Sequence, residues 1–137
     1  MNSMTGGCLC GAIRFELDAA PAFQFACHCE ACQHASGGSP TLGMVVPAAG
    51  VTITKGEPRV FWSTGESGGK VGRCFCETCG SPLFSKLEAT PEMMVIKIGA
   101  LDAPSDFQVQ GDMWMSTAKP WHQSHEGAVR FETNPGA

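Results

Sequence analysis

The grouping of the cysteines constrains this chain more than any other feature of its sequence. Its eight cysteines lie in three tight groups, which are Cys8 and Cys10, then Cys27, Cys29 and Cys32, then Cys74, Cys76 and Cys79. Thiolates this close in sequence can converge on one metal ion at sulfur–metal distances of about 2.3 Å, whereas a disulfide between such near neighbours would strain the backbone. The spacing therefore predicts metal-binding loops, with zinc as the ion, rather than a disulfide framework.

The first residues of the chain point to the same use of the cysteines. The stretch MNSMTGGCLCG has neither a basic start nor an apolar run of about seven residues, so it is not a secretory signal. Thiols stay reduced in the cytoplasm and remain available there for metal ions. We therefore expect a cytoplasmic protein whose cysteines bind zinc.

Charge, hydropathy and length restrict the class of protein further. Nine basic residues against thirteen acidic ones give a net charge of −4, and the basic residues form no cluster that could follow a phosphate backbone. The longest uncharged stretch, 31–54, contains Pro40 and Pro47, which a membrane-spanning helix would not tolerate. We expect neither nucleic acid nor a membrane as partner. The length of 137 residues fits one domain over 1–137.

Alternating apolar positions predict a mainly β protein. Residues 12–17 place Ile13, Phe15 and Leu17 on one face of a half-buried strand. Similar short runs, most of them separated by turn signals, predict further strands at 23–26, 51–54, 59–63, 71–75, 82–87, 93–98 and 107–110. One short helix is predicted over 30–36, ended by the glycine pair that follows it. These elements favour twisted antiparallel sheets.

The spacing leaves the division of the cysteines between metal ions open. Eight thiols can hold two ions as four and four, or as four and three with one cysteine left over. Four protein ligands close a zinc site and make it structural, whereas three leave a position for water or a substrate thiol. The loop that contains Cys27, Cys29 and Cys32 is the natural candidate for an open site.

Four segments of the chain resemble a known family. They read GGCLCGAIRFEL, CHCEACQHASG, RCFCETCGSPLF and KPWHQSHEGAVRFETNP, in that order between Gly6 and Pro135. Their order and internal spacing resemble the glutathione-dependent formaldehyde-activating enzyme family, which also includes centromere protein V. The resemblance extends over nearly the whole chain.

This resemblance implies a β-tent fold pinned by two zinc ions. The implied closed site is bound by Cys8, Cys10, Cys76 and Cys79, and the implied open, catalytic site by Cys27, Cys29 and Cys32. Cys74 is left over, and the family usually has no cysteine at this place. We expect Cys74 to be a small buried thiol, and the alternative is a further zinc ligand or a redox-active thiol.

The activity that the resemblance implies is that of a carbon–sulfur lyase, which joins glutathione to formaldehyde as S-hydroxymethylglutathione. An open zinc site suits this reaction, because coordination ionises a thiol whose free pKa is about 8.5. The alternative is a non-catalytic zinc-binding or interaction module whose open site binds another thiol, and a thiol redox switch is a third reading. The expected partners are a thiol such as glutathione, an aldehyde, and a second copy of the chain in a homodimer.

Four histidines are candidates for moving a proton near these sites. His28 lies between two of the candidate ligands, but its side chain is expected to point away from theirs. His34, His122 and His125 are weaker candidates.

Aromatic and basic side chains complete the set of candidates. Trp114 and Trp121 could cover the open site, although large aromatic residues are more often core or dimer contacts. Trp62, on a predicted strand, is expected in the core. Arg14 and Arg73 could bind the carboxylates of glutathione, with solvated positions or surface ion pairs as the default.

Overall fold

Short paired strands build two sheets in this chain. The computed structural model describes residues 3–65, 68–104 and 106–135. In chain order the elements are β1 (Ser3–Gly7), β2 (Arg14–Asp18), β3 (Phe23–Cys27), α1 (Glu30–Ser36), β4 (Thr41–Pro47), β5 (Val51–Lys55), β6 (Arg59–Thr64), β7 (Lys70–Phe75), β8 (Pro82–Leu87), β9 (Met93–Lys97), β10 (Gly111–Met113) and β11 (Val129–Arg130). The small sheet has the strand order β1-β2-β5, and the large sheet has the order β11-β10-β3-β4-β9-β8-β7-β6.

The large sheet packs one of its faces against the small sheet. Phe15 and Leu17 project from β2 and are buried, and the Phe15 ring meets the Phe84 ring edge-on with centroids 4.8 Å apart. Alternate positions of the large sheet complete this main core, namely Met44, Val46, Cys74, Phe84 and Ile96. Burying one large apolar side chain stabilises a fold by about 1.5–3 kcal/mol. Apolar burial between the two sheets is therefore what holds them face to face.

The opposite face of the large sheet carries a second cluster of buried residues. Successive side chains of a strand point to opposite faces, so residues paired in register share one face. One row on this face runs through Phe25, Gly43 and Lys97. The next row runs through Phe23, Val45, Val95, Ser85 and Arg73. The buried members of this second cluster are Phe25, Cys27, Cys32 and Val95. The second face therefore positions the middle cysteine group, away from the main core.

The helix α1 begins within this cysteine group. Cys29 is its N-cap, with an extended backbone and a sulfur that accepts a hydrogen bond from the Cys32 N–H at 3.4 Å. The helix ends where Gly37 adopts a left-handed conformation with φ 79°. The predicted helix over 30–36 is thus confirmed. In the part of the chain that the structure describes, no helix is long and apolar enough to cross a membrane.

The mainly β class predicted from the alternation is confirmed, with corrections in detail. The strand expected at 107–110 is wrong, because those residues form no strand and β10 begins at Gly111. The strand β10 pairs in parallel with both β3 and β11, so the large sheet is mixed rather than purely antiparallel. The alternation also does not reveal β1, β4 or β11. Strands of two and three residues, such as β11 and β10, are too short to show a period, and their pairing partners decide their structure.

The expected core position of Trp62 is wrong. Trp62 lies on β6, the edge strand of the large sheet, and 49% of it is exposed. Its ring covers Gly72 on the neighbouring strand so closely that a Cβ there would lie 2.9 Å from the ring. A strand pattern does not show whether its strand lies at the edge of a sheet, and the edge position leaves Trp62 only partly covered.

Gly43 is the point of closest packing on the second face. Gly43→Ala is expected to lower the free energy of unfolding by about 1–3 kcal/mol, because the added Cβ would lie 2.7 Å from Val95 Cγ1 and 2.8 Å from the Phe25 ring. Urea unfolding followed by circular dichroism measures this loss. Gly99→Ala is the matched control, since a Cβ at Gly99 meets nothing within 4 Å. Equal effects of the two substitutions would contradict the packing described here.

Candidate metal centres and the adjoining cavity

Four cysteines converge where the two sheets meet, and we call them the four-cysteine cluster. Cys8 and Cys10 precede β2, whereas Cys76 and Cys79 lie between β7 and β8. The sulfur of Cys10 lies 3.7 Å from that of Cys8 and 3.8 Å from that of Cys76, and all four sulfurs lie within 4.8 Å of one another. Bonds of about 2.3 Å in a tetrahedron place sulfurs about 3.8 Å apart. The cluster therefore has the donors and the size of a tetrahedral thiolate site.

Two glycine turns shape the four-cysteine cluster. Gly11 follows Cys10 with φ 80°, and Gly80 follows Cys79 with φ 78°. This left-handed conformation is accessible to glycine without steric cost. The N–H of each glycine donates a hydrogen bond to the carbonyl of the first cysteine of its pair, at 3.2 Å and 2.8 Å. Each turn thereby directs two sulfurs towards the same point.

The middle cysteine group forms a second cluster, the three-cysteine cluster. Cys27 ends β3, Cys29 caps α1 and Cys32 lies in the first turn of that helix, with their sulfurs within 4.8 Å of one another. Among the residues that the structure describes, no further cysteine, histidine or carboxylate joins these three. Thiolates are donors that zinc and other soft metal ions prefer. Three of them leave one corner of a tetrahedron without a protein ligand.

Hydrogen bonds among these three thiols separate their pKa values. Bonds from Cys27 and then from Cys29 lower the pKa of Cys32 to about 2. The bonds that Cys27 donates, together with its burial, raise the pKa of Cys27. The hydrogen bonds among the three thiols thus favour an ionised sulfur at Cys32 over one at Cys27.

Cys74 belongs to neither cluster. Its side chain lies in the main core, where it is buried. Burial raises the pKa of its thiol. Cys74 is therefore a small buried thiol, as expected from the sequence. All eight cysteines, Cys74 included, are free thiols in the structure.

A cavity of about 460 Å³ opens beside the three-cysteine cluster. Its floor is the second face of the large sheet, and its apolar lining includes Phe23, Phe25, Val45, Leu87 and Val95. Lys70, Arg73 and Lys97 add positive charge to the walls. All three cysteines of the cluster line the cavity as well. A small molecule inside it can therefore contact the three sulfurs.

Of the two tryptophans considered as covers, only Trp114 lines the cavity. Its backbone has φ 60°, a left-handed conformation that costs an ordinary residue about 1–2 kcal/mol. The Trp114 N–H donates to the Thr133 carbonyl at 3.1 Å, and its indole Nε1 donates to Asn134 Oδ1 at 2.8 Å. Trp121 is 65% exposed, and its indole donates to the Gly38 carbonyl at 2.9 Å. Contacts from the 133–134 segment thus hold Trp114 in place as a cavity wall.

His28 anchors the loop between two of the cysteines rather than facing the cavity. Its ring is fully buried, with Nε2 2.9 Å from Asp112 Oδ1 and Nδ1 3.0 Å from His122 Nδ1. Its carbonyl accepts hydrogen bonds from Gln33 Nε2 at 2.7 Å and from Thr117 Oγ1 at 3.1 Å. As expected from the sequence, the ring points away from the neighbouring sulfurs. His28 therefore ties the three-cysteine cluster to the 112–122 segment.

Asp112 is the centre of the histidine contacts. Its buried carboxylate accepts from the His125 N–H at 2.8 Å and lies 2.9 Å from both His28 Nε2 and His125 Nδ1. Burial alone would raise the pKa of this carboxyl, but the hydrogen bonds from His28 and His125 lower it. His34, by contrast, is exposed in the last turn of α1. Asp112 is thus a buried carboxylate whose charge is met by hydrogen-bond donors.

The two arginines considered for glutathione binding have different surroundings. Arg14 Nη1 lies 3.1 Å from Asp102 Oδ1, and this ion pair lowers the pKa of the Asp102 carboxyl to about 2. Arg73 lines the cavity, where its Nη1 donates to Ser63 Oγ at 2.9 Å. Lys97 lines the cavity too. Arg14 therefore forms the surface ion pair that was the default expectation, and Arg73 remains the candidate for contact with a ligand.

Sequence reasoning does not find Lys97 or Asp112. Lys97 shares the face of Val95 on β9, so alternation in that strand places a cation on a half-buried face. This alternation is a signal in the sequence from which Lys97 could have been identified. Asp112 lies in a strand of three residues whose neighbours in the sheet are far away in the chain. No local pattern marks it.

The fold and the two clusters together define a class, namely mainly β proteins with one complete and one open cysteine site for metal ions. The chain belongs to the glutathione-dependent formaldehyde-activating enzyme family, whose sequence model matches residues 3–117. A crystal structure of a Rhodobacter sphaeroides protein is similar, with a TM-score of 0.60 and 19% sequence identity over 73% of this chain and 89% of that one. This second likeness shows the shared fold.

The clusters predict two metal ions per chain, with Cys74 a ligand of neither. Cys76→Ala is expected to lower the metal content from two equivalents to one and to destabilise the fold, because the four-cysteine cluster loses a donor. Cys74→Ala is the matched control, since Cys74 is also buried and lies two residues away. Elemental analysis of the purified proteins measures the metal content. Loss of a metal ion from Cys74→Ala would contradict the assignment.

The histidine contacts predict a strong dependence of stability on Asp112. Asp112→Asn is expected to cost about 2 kcal/mol or more of unfolding free energy at neutral pH, because the charge is lost and an amide N–H would face the donors of His28 or His125. Urea unfolding measures the loss. Asp102→Asn, which removes an exposed ion pair, is the control and is expected to have a much smaller effect. Similar losses in both variants would argue against this role of Asp112.

Proposed function

We propose that this chain joins a thiol to an aldehyde, with glutathione and formaldehyde as substrates and S-hydroxymethylglutathione as product. In the reverse direction it acts as a carbon–sulfur lyase. The observation that carries this proposal is the position of the three-cysteine cluster, which has three sulfur donors and lies on the wall of a cavity of about 460 Å³. Membership of the family supports glutathione and formaldehyde chemistry in general.

The two clusters have different roles in this proposal, and zinc is the ion proposed for both. The four-cysteine cluster completes a tetrahedron with protein sulfurs alone, so its role is structural. The proposed catalytic set is Cys27, Cys29 and Cys32. These three residues would hold a zinc ion, and the chemistry that zinc would supply here is stabilisation of a substrate thiol in its ionised form.

Other residues around the cavity hold the three cysteines in position and limit the access of water. The His28 carbonyl, fixed by two hydrogen bonds, keeps the backbone between Cys27 and Cys29 in one conformation. The apolar walls formed by Phe25 and Trp114 reduce the space for water beside the cluster. Water competes with the thiol for the aldehyde, so its exclusion favours the thiol adduct.

The proposed reaction balances without an oxidant or a reductant. The sulfur forms a bond to the aldehyde carbon, the π pair of the carbonyl moves to the oxygen, and that oxygen takes the proton released by the thiol. Ionising the thiol and holding it beside the aldehyde both raise the rate.

We place this activity in one domain over 1–137 and in the cytoplasm, where thiols stay reduced.

Cobalt substitution tests the proposed thiol site. Glutathione is expected to change the visible absorption of one of the two sites in a saturable manner, because tetrahedral cobalt responds to a new sulfur ligand. Cys29→Ser is expected to abolish this change while the absorption of the four-cysteine cluster persists. Cys74→Ala is the control and is expected to keep the full response.

Exchange spectroscopy by nuclear magnetic resonance tests turnover. The wild-type protein is expected to accelerate exchange between glutathione and its formaldehyde adduct above the spontaneous rate, and Cys29→Ser is expected to return the rate to that level. A cobalt response without acceleration would leave a non-catalytic thiol-binding module. If glutathione changes the visible absorption of neither cobalt site, glutathione is not the ligand.

A further inference from the structure

The cavity beside the three-cysteine cluster carries three cations and, among its described lining residues, no carboxylate. Lys70 is exposed, whereas Arg73 and Lys97 are half-buried on the floor of the cavity. Arg73 pairs in register with Ser85, and Ser85 with Val95. Lys97 follows two residues after Val95 on the same strand, so it shares the face of Arg73. The strands β7 and β9, which flank β8 in the sheet, therefore present Arg73 and Lys97 to the cavity from the same face.

Arg73 has a hydrogen-bond donor that finds no acceptor in the described part of the chain. Its Nη1 donates to Ser63 Oγ at 2.9 Å, but its buried Nε has no partner among the described residues. A buried donor left without an acceptor costs about 1–3 kcal/mol, and more when the group is charged. The ion pairs between lysine or arginine and a carboxylate among the described residues involve other side chains, namely Arg14, Arg59, Lys119 and Arg130. An oxygen acceptor placed beside Arg73 would remove this cost.

Lys97 adds a second positive charge close to Arg73. Burial, and then the charge of Arg73, lower the pKa of the Lys97 ammonium group, whereas the thiols of the three-cysteine cluster favour the ammonium form. Three thiolates around one divalent ion leave a single negative charge. That charge can compensate at most one of the three cations that line the cavity. An anion in the cavity would restore the balance, and a carboxylate matches the planar donor group of arginine.

We propose that Arg73 and Lys97 bind a carboxylate, and that this cavity also takes thiols smaller than glutathione when they carry a carboxylate. This inference rests on the proposed function, because the three-cysteine cluster takes the thiol end of the same molecule. The side chains of Phe25, Val95 and Trp114 suit a stem of methylene groups. Glutathione also has carboxylates and is therefore not a discriminating probe.

A pair of simple thiols tests the carboxylate site. In the cobalt-substituted protein, 3-mercaptopropionate is expected to bind at least about tenfold more tightly than neutral 2-mercaptoethanol. Arg73→Gln and Lys97→Met are each expected to remove most of this preference, by weakening the binding of 3-mercaptopropionate much more than that of 2-mercaptoethanol. Arg59→Gln is the matched control, since Arg59 lies on the exposed edge strand and pairs with Glu77, and it is expected to keep the preference.

Further measurements separate a binding role from a structural one. The metal content of each variant is measured on the same samples, and Arg73→Gln is expected to retain both ions. Arg73→Lys keeps the positive charge and is expected to restore part of the preference, which a purely structural role of Arg73 would not do. Equal binding of the two thiols by the wild-type protein would overturn the carboxylate site and leave the proposed thiol function standing.

Propionate, which has a carboxylate and no sulfur, distinguishes the remaining outcomes. If no thiol changes the cobalt spectrum, propionate binding is followed by the tryptophan fluorescence of the protein, to which Trp114 on the cavity wall contributes. Binding that is lost in Arg73→Gln and kept in Arg59→Gln would support the carboxylate site while the thiol function fails. Absence of propionate binding, or equal binding by the wild-type protein and Arg73→Gln, would overturn the carboxylate site.

Discussion

The large sheet carries a cluster of buried residues on each of its two faces, and the rest of this structure depends on this arrangement. Because side chains alternate along each strand, neighbouring residues serve different purposes. Phe84 lies in the main core beneath the small sheet, and the next residue, Ser85, faces the cavity. A shift of register by one residue would exchange the two sets. The packing of the main core therefore also fixes the positions of the cavity residues.

The two cysteine clusters show how one residue type produces two kinds of site. In the four-cysteine cluster, two turns from distant parts of the chain approach each other and supply all four sulfurs. In the three-cysteine cluster, one segment of six residues supplies all three sulfurs, and the sheet face and cavity lie on the remaining side. In the first case the protein supplies a complete set of four donors, although Cys10 itself is exposed. In the second case the described residues supply three donors, and the cavity lies beside them.

The local parts of this arrangement could be predicted from the sequence, and the long-range parts could not. The cysteine spacing and the helix over 30–36 depend on near neighbours, and the resemblance to the family supplied the four-and-three division that spacing alone left open. The place of Lys97 beside Arg73 depends on pairing between three strands, and that of Asp112 on parallel pairing with β3. The exposure of Trp62 is a long-range feature as well, because it follows from the order of the strands in the sheet and not from the residue pattern of β6.

The support of Trp114 has a consequence for how this fold can diversify. The part of the chain that matches the family model ends at residue 117, but the hydrogen bonds that hold Trp114 in its left-handed conformation come from Thr133 and Asn134. Asn134 and Pro135 also line the cavity themselves. The cysteines and the residues that hold Trp114 in place are therefore encoded in separate stretches of sequence. Changes in the tail can alter which molecules enter the cavity while leaving every candidate metal ligand intact.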